Sequence, residues 1–172
     1  MDRRIVVIGT SCSGKSTLSK RISQNLSIPH YELDNYYWES NWTSITEDKF
    51  IQIVKDFTSK NNWVICGNYS AVRDIIWDKS TDIVWIDYPF YLVFYRAIKR
   101  SIIRAYKKEK VCNGNVESFR KTFMTKDSII LWVLKTYFKR KKEYRKLLLE
   151  VKGKKIHQLK NQKATDKFVK AL

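Results

Sequence analysis

The chain has 172 residues, 44% of them hydrophobic and 30% charged, which predicts one globular domain over residues 1–172 and excludes a disordered or collagen-like chain. Lys and Arg number 34 against 17 Asp and Glu, and residues 96–160 hold 21 of the basic side chains and only 5 of the acidic ones. This local excess indicates a polyanionic ligand or partner: nucleotide phosphates, a nucleic-acid backbone or an anionic membrane.

The first half of the chain alternates short apolar runs with amphipathic stretches. Residues 5–8 form a β-branched run that ends at Gly9 and is typical of a buried parallel strand. Further strands are predicted at 30–33, 63–66 and 82–87, and helices at 15–26, from Thr46 onward and at 71–78. Because strands alternate with helices, the pattern predicts an α/β fold with a doubly wound parallel sheet.

The second half is more helical and more basic. A helix is predicted from Pro89 through residues 90–108, then a loop at 111–115 and one or two helices over 118–151. A final edge strand at 155–159 and a last helix at 164–171 complete the pattern.

The cysteines and the apolar runs bear on metal binding, redox compartment and membrane spans. Three cysteines without a CxxC spacing and only two histidines argue against a zinc site, and free thiols fit a reducing compartment. No apolar run is long enough for a signal peptide or a membrane span. We therefore expect a cytoplasmic protein without a membrane span.

The octapeptide GTSCSGKS at residues 9–16 matches the phosphate-binding pattern G-x-x-x-x-G-K-[ST]. Backbone N–H groups and a helix N-terminus surround a β-phosphate in such a loop, the lysine reaches the β- and γ-oxygens, and the last hydroxyl binds Mg²⁺. The alternative is an ordinary strand–helix turn. The pattern predicts ATP and Mg²⁺ as cofactors, with contacts from Gly9, Thr10, Ser11, Cys12, Ser13, Gly14, Lys15, Ser16 and Thr17.

A second acid for the metal is expected at the end of a neighbouring strand. Asp87 closes the predicted strand 82–87 and is a candidate for this role, acting through water, beside Ser16. The alternative is that Asp87 caps the helix after Pro89.

Four segments together resemble the topology modulation proteins (FlaR-like), small P-loop proteins similar to adenylate kinase and shikimate kinase. They are RIVVIGTSCSGKSTLSKRI, LDNYYWESNW at 33–42, WVICGNYSAVRD at 63–74 and DIVWIDYPFYLVFYRAIKR at 82–100. The resemblance implies a P-loop NTPase of the nucleoside/nucleotide-kinase-like three-layer type. It also implies a five-stranded parallel sheet, a helical basic lid at about 100–125, and ATP binding. It leaves the phosphoryl acceptor open.

The acceptor side is expected at the carboxyl ends of the strands. A hydroxyl acceptor needs a carboxylate to orient it and take its proton, and Asp34 is placed for this, with a turn or N-cap role as the alternative. Tyr37 and Trp38 follow and are candidates for stacking on an acceptor, or for packing. Asn68, Tyr69 and Arg73 follow the strand 63–66 and complete the predicted acceptor site.

Three arginines recur at helical spacing after residue 90. Arg96, Arg100 and Arg104 share one helix face and are predicted to stabilise the transferring phosphoryl group, with Arg120 as a further nucleotide contact in the lid. A solvated basic face is the alternative for each.

These residues predict a phosphotransferase that moves the γ-phosphoryl group of Mg·ATP to a small molecule, a nucleoside or nucleotide first. A competing hypothesis is a nucleic-acid-associated or DNA-topology-modulating protein that binds ATP without such activity, and a third is a non-catalytic ATP-binding protein. The competing hypothesis depends on residues 135–146, where seven basic side chains alternate with three aromatic ones. Three interpretations of that segment are open: a solvent-exposed basic helix surface ranks first, a nucleic-acid-binding surface second and an acidic-lipid-binding surface third.

Overall fold

A computed structural model describes residues 2–107, 110–116 and 128–172. The elements in chain order are β1 (Arg4–Gly9), α1 (Lys15–Leu26), β2 (His30–Glu32), α2 (Asp34–Tyr37), α3 (Glu47–Ser59), β3 (Trp63–Cys66), α4 (Ser70–Lys79), β4 (Asp82–Ile86), α5 (Phe90–Lys107), β5 (Lys110–Val111), β6 (Asn115–Val116), α6 (Ile129–Glu150), β7 (Lys155–Leu159) and α7 (Gln162–Lys170).

Five strands form one parallel sheet in the order β2-β3-β1-β4-β7. The predicted five-stranded parallel α/β fold is confirmed, and the strand at 155–159 lies at an edge as expected. The chain leaves β1 toward β2 and later crosses to β4 on the other side of β1. The carboxyl end of β1 therefore lies where the strand order reverses, which is the place where open α/β sheets bind ligands.

The sheet is covered on both faces because its central strands are apolar throughout. Ile5 and Val7 of β1 pack into one buried cluster with α1 and α5, and Val6 and Ile8 pack into the other with α3 and α4. This alternation is the two-residue period of a strand whose two faces are both buried.

Helix α6 contributes to both clusters. Val133 and Tyr137 in its first half pack into the cluster with α1 and α5, whereas Tyr144 and Leu148 pack into the cluster with α3 and α4. The Tyr137 hydroxyl donates to the carbonyl oxygen of Tyr88, just after β4, at 2.7 Å. The helix therefore crosses the carboxyl end of the sheet, and its basic residues pass over the ligand-binding edge.

Two local predictions were wrong. Residues 111–115 were expected as a loop, but Lys110–Val111 and Asn115–Val116 pair as an antiparallel hairpin with Gly114 at a φ of 85°. The short helix α2 was not expected. Of the predicted helical lid at about 100–125, the structure describes the end of α5 and this hairpin, and residues 117–127 lie outside the described part.

No helix in the described ranges is long and apolar enough to span a membrane.

Candidate functional site: a phosphate-binding loop beside a charged cleft

The loop between β1 and α1 has a backbone that requires glycine. Gly9 has a φ of 156°, and a Cβ there would lie 2.8 Å from Ser13 Oγ and 2.9 Å from the carbonyl oxygen of Ile86. Gly14 has a φ of 100° and precedes the first residue of α1. Both glycines of the sequence pattern therefore occupy positions that a residue with a Cβ would strain or block.

Lys15 folds back over this loop. Its Nζ donates to the carbonyl oxygen of Thr10 at 2.9 Å. Burial lowers the pKa of Lys15, the nearby Asp34 carboxylate opposes this, and the positive charge of Arg140 adds to it. The charges of an acid that follows β2 and of an arginine of α6 therefore act in opposite directions on the P-loop lysine.

Ser16 and Glu32 form a pair that the sequence did not suggest. The Ser16 hydroxyl donates to the carboxylate of Glu32, the last residue of β2. The available signal was the position of Glu32, a carboxylate at a strand end two residues before Asp34. Ser16 is the residue predicted to bind Mg²⁺, so Glu32 is a further oxygen donor at that place.

Asp34 is held by Tyr69. The Tyr69 hydroxyl donates to Asp34 Oδ1 at 2.6 Å, from the residue just before α4 to the first turn of α2. Burial, followed by the Asp34 charge and this hydrogen bond, raises the pKa of Tyr69. The phenol therefore stays a donor and keeps the carboxylate in one orientation.

Tyr37 and Trp38 lie in an aromatic group beside this pair. The Tyr37 ring is 4.6 Å from the Tyr69 ring and 5.1 Å from that of Phe50, and Trp38 packs edge-on against Tyr37 and Trp42. These are packing contacts beside Tyr69, and stacking of Tyr37 and Trp38 on an acceptor stays a prediction.

Asn68 joins the end of β3 to the P-loop. Its Nδ2 donates to the carbonyl oxygen of Gly9 at 2.6 Å. Its Oδ1 is buried and has no hydrogen-bond partner among the described residues. A buried acceptor of this kind is available to a ligand.

A cleft of about 240 Å³ opens between β1, β3, α4 and α6. Its charged lining comes from Arg73, Lys139, Arg140 and Glu143, and its apolar lining includes Trp77 and Trp132. Arg73 Nη1 lies 3.4 Å from a Glu143 oxygen, and the Arg140 guanidinium lies 5.8 Å from the centre of the Trp132 ring.

Sequence reasoning placed Asn68, Tyr69 and Arg73 at one site, and the structure brings them together in this cleft. Lys139 and Arg140 also line this cleft, although the sequence indicated them only as members of the basic segment 135–146. Lys139 and Arg140 face the cleft only because α6 crosses over the sheet, which the sequence does not show.

Arg96 lies on the other side of the P-loop. Its two terminal nitrogens donate to the carbonyl oxygen of Ser13 and to Gln162 Oε1, both at 3.1 Å, and its guanidinium is 4.9 Å from the centre of the Tyr88 ring. Arg100 and Arg104 follow on the same helix and are half-buried, about 6 and 12 Å along the axis. Arg120 lies outside the described residues.

Asp87 is occupied by protein groups. Lys141 Nζ lies 2.7 Å from one of its carboxylate oxygens, and Gln158 Nε2 donates to the other at 2.8 Å. Each carboxylate oxygen therefore already has one protein partner, and the metal role of Asp87 stays a prediction. In the described part of the chain, no three His, Cys, Asp or Glu side chains are grouped as a metal site. A Mg²⁺ ion here would need phosphate oxygens and water as further ligands.

The β5–β6 hairpin is fastened to the segment that follows Asp34. Asn115 donates to the carbonyl oxygen of Glu39 at 2.8 Å and accepts from the backbone N–H of Trp42 at 2.8 Å. Asn113 donates to the carbonyl oxygens of Asn35 and Trp38 at 2.9 and 2.7 Å. The described part of the predicted lid is therefore connected to the segment that follows Asp34, on the predicted acceptor side.

Two curated proteins and several solved structures are similar to this chain. No family model matches it. The chain is 28% identical over 126 residues to the uncharacterized protein YqaC of Bacillus subtilis, covering 72% of this chain and 70% of that one. It is 31% identical over 109 residues to shikimate kinase of Aquifex aeolicus, covering 54% of this chain and 64% of that one.

The solved shikimate kinase of Aquifex aeolicus superposes with a TM-score of 0.56 at 22% identity, covering 98% of this chain and 92% of that one. That of Bacteroides thetaiotaomicron superposes with a TM-score of 0.60 at 15% identity, covering 99% and 96%. The chain has the fold of the P-loop kinases. These relatives do not point to the topology modulation proteins in particular, so that resemblance stays a prediction.

Proposed function

We propose that the protein is a phosphotransferase that moves the γ-phosphoryl group of Mg·ATP to a hydroxyl group of a small acceptor that carries an anionic group. One observation carries the proposal. Asp34 is held by Tyr69, next to a cleft lined by Arg73, Lys139 and Arg140, and its charge acts on the P-loop lysine. A positioned acid and a set of basic groups thus meet at the place where a phosphoryl group would be transferred.

The residues present fit ATP and Mg²⁺. A Cβ at Gly9 would fill the loop, and the buried Asn68 Oδ1 is left for a ligand. When bound, Mg·ATP supplies the phosphoryl group and neutralises its charge. Lys15 would exchange the Thr10 carbonyl for phosphate oxygens, and Ser16 with Glu32 would hold the ion directly or through water.

Asp34 has the acceptor-side role. Its carboxylate would orient the acceptor hydroxyl and take its proton, and the Tyr69 hydrogen bond holds it in position. Arg73 and Arg140 would bind the anionic group of the acceptor, since guanidinium groups pair with carboxylate or phosphate in two parallel hydrogen bonds.

The basic lining of the cleft favours acceptors that carry an anionic group. A hydroxy acid and a nucleoside monophosphate both carry a hydroxyl group and an anionic group. Both are therefore candidate acceptors for the cleft of about 240 Å³. A shikimate kinase is among the relatives, which supports a hydroxy acid. The resemblance to topology modulation proteins, with their nucleotide-kinase-like fold, supports a nucleotide.

Binding of ATP is tested by calorimetry with Mg·ATP. We expect the wild-type protein to bind and Lys15→Ala to lose most of the affinity. Lys20→Ala, an exposed lysine on the same helix, is the matched control and keeps it. A wild-type protein that does not bind Mg·ATP contradicts the proposal at its first step.

Transfer is tested by ADP release with a panel of hydroxy acids, nucleosides and nucleoside monophosphates. We expect turnover only with acceptors that carry both a hydroxyl and an anionic group. Asp34→Asn should lower kcat by about 10²–10⁴-fold while Mg·ATP still binds, because a positioned general base contributes that much. Equal turnover by Asp34→Asn would overturn the role of the carboxylate.

A further inference from the structure

A surface of exposed apolar side chains runs over α5 and the first half of α6. We call it the α5–α6 apolar surface, and its members are Tyr91, Tyr95, Ile102, Tyr106, Leu131, Leu134 and Phe138. Tyr91, Tyr95 and Tyr106 are 74%, 60% and 87% exposed, and Phe138 is 65% exposed. Single exposed apolar residues are ordinary, but a connected set on neighbouring helices marks an interaction site.

Helical spacing groups the members of the surface on one face of each helix. Residues 91, 95, 102 and 106 fall on one face of α5, along about 22 Å of its axis. Leu131, Leu134 and Phe138 fall on one face of α6. The Phe138 ring stacks on that of Phe90 at the start of α5, with ring centres 5.4 Å apart, so the two helices are in contact at this end of the surface.

Lysines are interleaved with these apolar groups. Lys99 lies on the α5 face between Tyr95 and Ile102, and exposed Lys135 and Lys142 lie three residues before and four residues after Phe138. The helices α5 and α6 together hold twelve Lys and Arg against two Glu. One of the two, Glu143, is paired with Arg73. The partner of this surface must therefore be anionic.

We propose that the α5–α6 apolar surface docks the protein on the surface of an anionic lipid bilayer. Aliphatic and aromatic side chains would enter the region between headgroups and acyl chains, while the lysines lie at the level of anionic headgroups. Interfacial docking needs no spanning helix, and no helix in the described ranges could span. The proposal is independent of the phosphotransfer reaction.

Two other occupants fit the surface less well. A second copy of the chain would bring two strongly basic surfaces together, which like-charge repulsion opposes. A single-stranded nucleic acid would use the tyrosines for stacking and the lysines for phosphates, but it offers nothing to exposed aliphatic groups such as Ile102 and Leu134. Those aliphatic groups favour lipid.

The acceptor cleft stays accessible in the docked state. Trp132, Lys139 and Arg140 line the cleft from a flank of α6 that is rotated by roughly a quarter turn or more from the face of Leu131 and Phe138. Docking through the α5–α6 apolar surface would thus hold the cleft at the membrane surface without covering it.

The test is co-sedimentation of the full chain with vesicles of equal parts phosphatidylglycerol and phosphatidylcholine, compared with vesicles of phosphatidylcholine alone. We expect binding to the anionic vesicles that weakens as salt rises, with about tenfold or more preference over the neutral ones. Binding equally well to both, or to neither, would overturn the proposal.

One variant and its control distinguish lipid binding from binding of nucleic acid or of a second copy of the chain. Ile102→Ser/Leu134→Ser removes only aliphatic groups and should weaken vesicle binding about fivefold or more, since each buried methylene contributes to membrane affinity. Leu149→Ser is the matched control: it is 86% exposed on the same helix, about 16 Å beyond Phe138, and should bind as the wild type. Thermal unfolding confirms that both variants fold.

Fluorescence anisotropy with a single-stranded oligonucleotide completes the test. Tight oligonucleotide binding that Ile102→Ser/Leu134→Ser leaves unchanged, with unchanged vesicle binding by the same variant, overturns lipid docking in favour of nucleic acid. A dimer in sedimentation that this variant dissociates overturns it in favour of a second copy.

Discussion

The ammonium group of Lys141 lies 2.7 Å from Oδ1 of Asp87, at a carboxylate whose side chain is only 5% exposed. Lys141 belongs to the basic segment 135–146, and Asp87 follows the strand next to the P-loop strand. Together with Arg140 in the cleft, this pair shows that part of the basic excess is turned inward to the site. The exposed remainder of that segment includes Lys135 and Lys142, which flank the α5–α6 apolar surface.

Removing the lysine of this pair should destabilise the fold. Lys141→Met leaves a buried carboxylate without its counter-ion, and breaking a buried pair in this way costs about 3–5 kcal/mol of unfolding free energy. The double variant Asp87→Asn/Lys141→Met should recover most of the loss, because no buried charge remains. Urea unfolding of the wild type, of the single variants Asp87→Asn and Lys141→Met, and of the double variant measures the coupling. A loss below about 1 kcal/mol in Lys141→Met would mean that the pair behaves as a surface ion pair.

The sheet could be predicted because its signal is local. The apolar runs of β1, β3 and β4 and the glycine pattern after β1 each lie within about ten residues, and periodicity with turn residues suffices to place them. The parallel order followed from the alternation of strands and helices. In the same way, the ends of β2 and β3 identified Asp34 and Asn68 as acceptor-site candidates, and the structure places Asn68 against Gly9 of the P-loop.

Other parts of the site depend on contacts between distant residues. The basic side chains of α6 form a repeating pattern in the sequence, and only the crossing of α6 over the sheet turns Arg140 and Lys141 inward while Lys142 stays exposed. The hairpin at 110–116 could not be predicted because strands of two residues are too short to show an alternation of apolar and polar side chains. Its position depends on Asn113 and Asn115, which bond to backbone more than 70 residues away.

Tyr69→Phe tests the positioning of Asp34. The variant keeps the ring that packs against Tyr37 and removes only the 2.6 Å hydrogen bond to the carboxylate. We expect kcat to fall about tenfold, because the carboxylate is less well oriented, while the Kd for Mg·ATP is unchanged. Steady-state kinetics with an accepted substrate and calorimetry measure the two quantities. Tyr37→Phe is the control, and a fall in kcat of equal size there would assign the effect to packing.

Asn115 should connect the hairpin to the acceptor side. Its buried amide donates to the carbonyl oxygens of Glu39 and Cys112 and accepts from Trp42 N–H. Asn115→Ala leaves these backbone groups without their partner, which should cost about 1–3 kcal/mol and raise KM for the acceptor more than it lowers kcat. Unfolding and kinetics on the same samples separate the two effects.

Asn113→Gly is the matched control for that variant, because Asn113 belongs to the same hairpin but is exposed, water can replace its hydrogen bonds, and glycine tolerates its φ of 61°. We expect its unfolding free energy to stay within about 1 kcal/mol of the wild type. Equal losses in the two variants would contradict a special role for the buried Asn115.

His30 predicts a pH dependence of stability. Its Nε2 lies 2.8 Å from Ser19 Oγ, and burial lowers the pKa of His30 from its ordinary value of 6.5, with Glu32 opposing and Lys20 adding to the effect. Below pH 6.5 the unfolded chain binds more protons at this residue than the folded one, so its stabilising contribution is complete above 6.5 and is lost as pH falls through the lowered pKa. We therefore expect the stability difference between wild type and His30→Gln to be constant above pH 6.5 and to shrink as the pH falls below 6.5, because groups that titrate in both proteins cancel. Chemical unfolding at several pH values measures this difference, and one that stays constant on acidification would contradict the prediction.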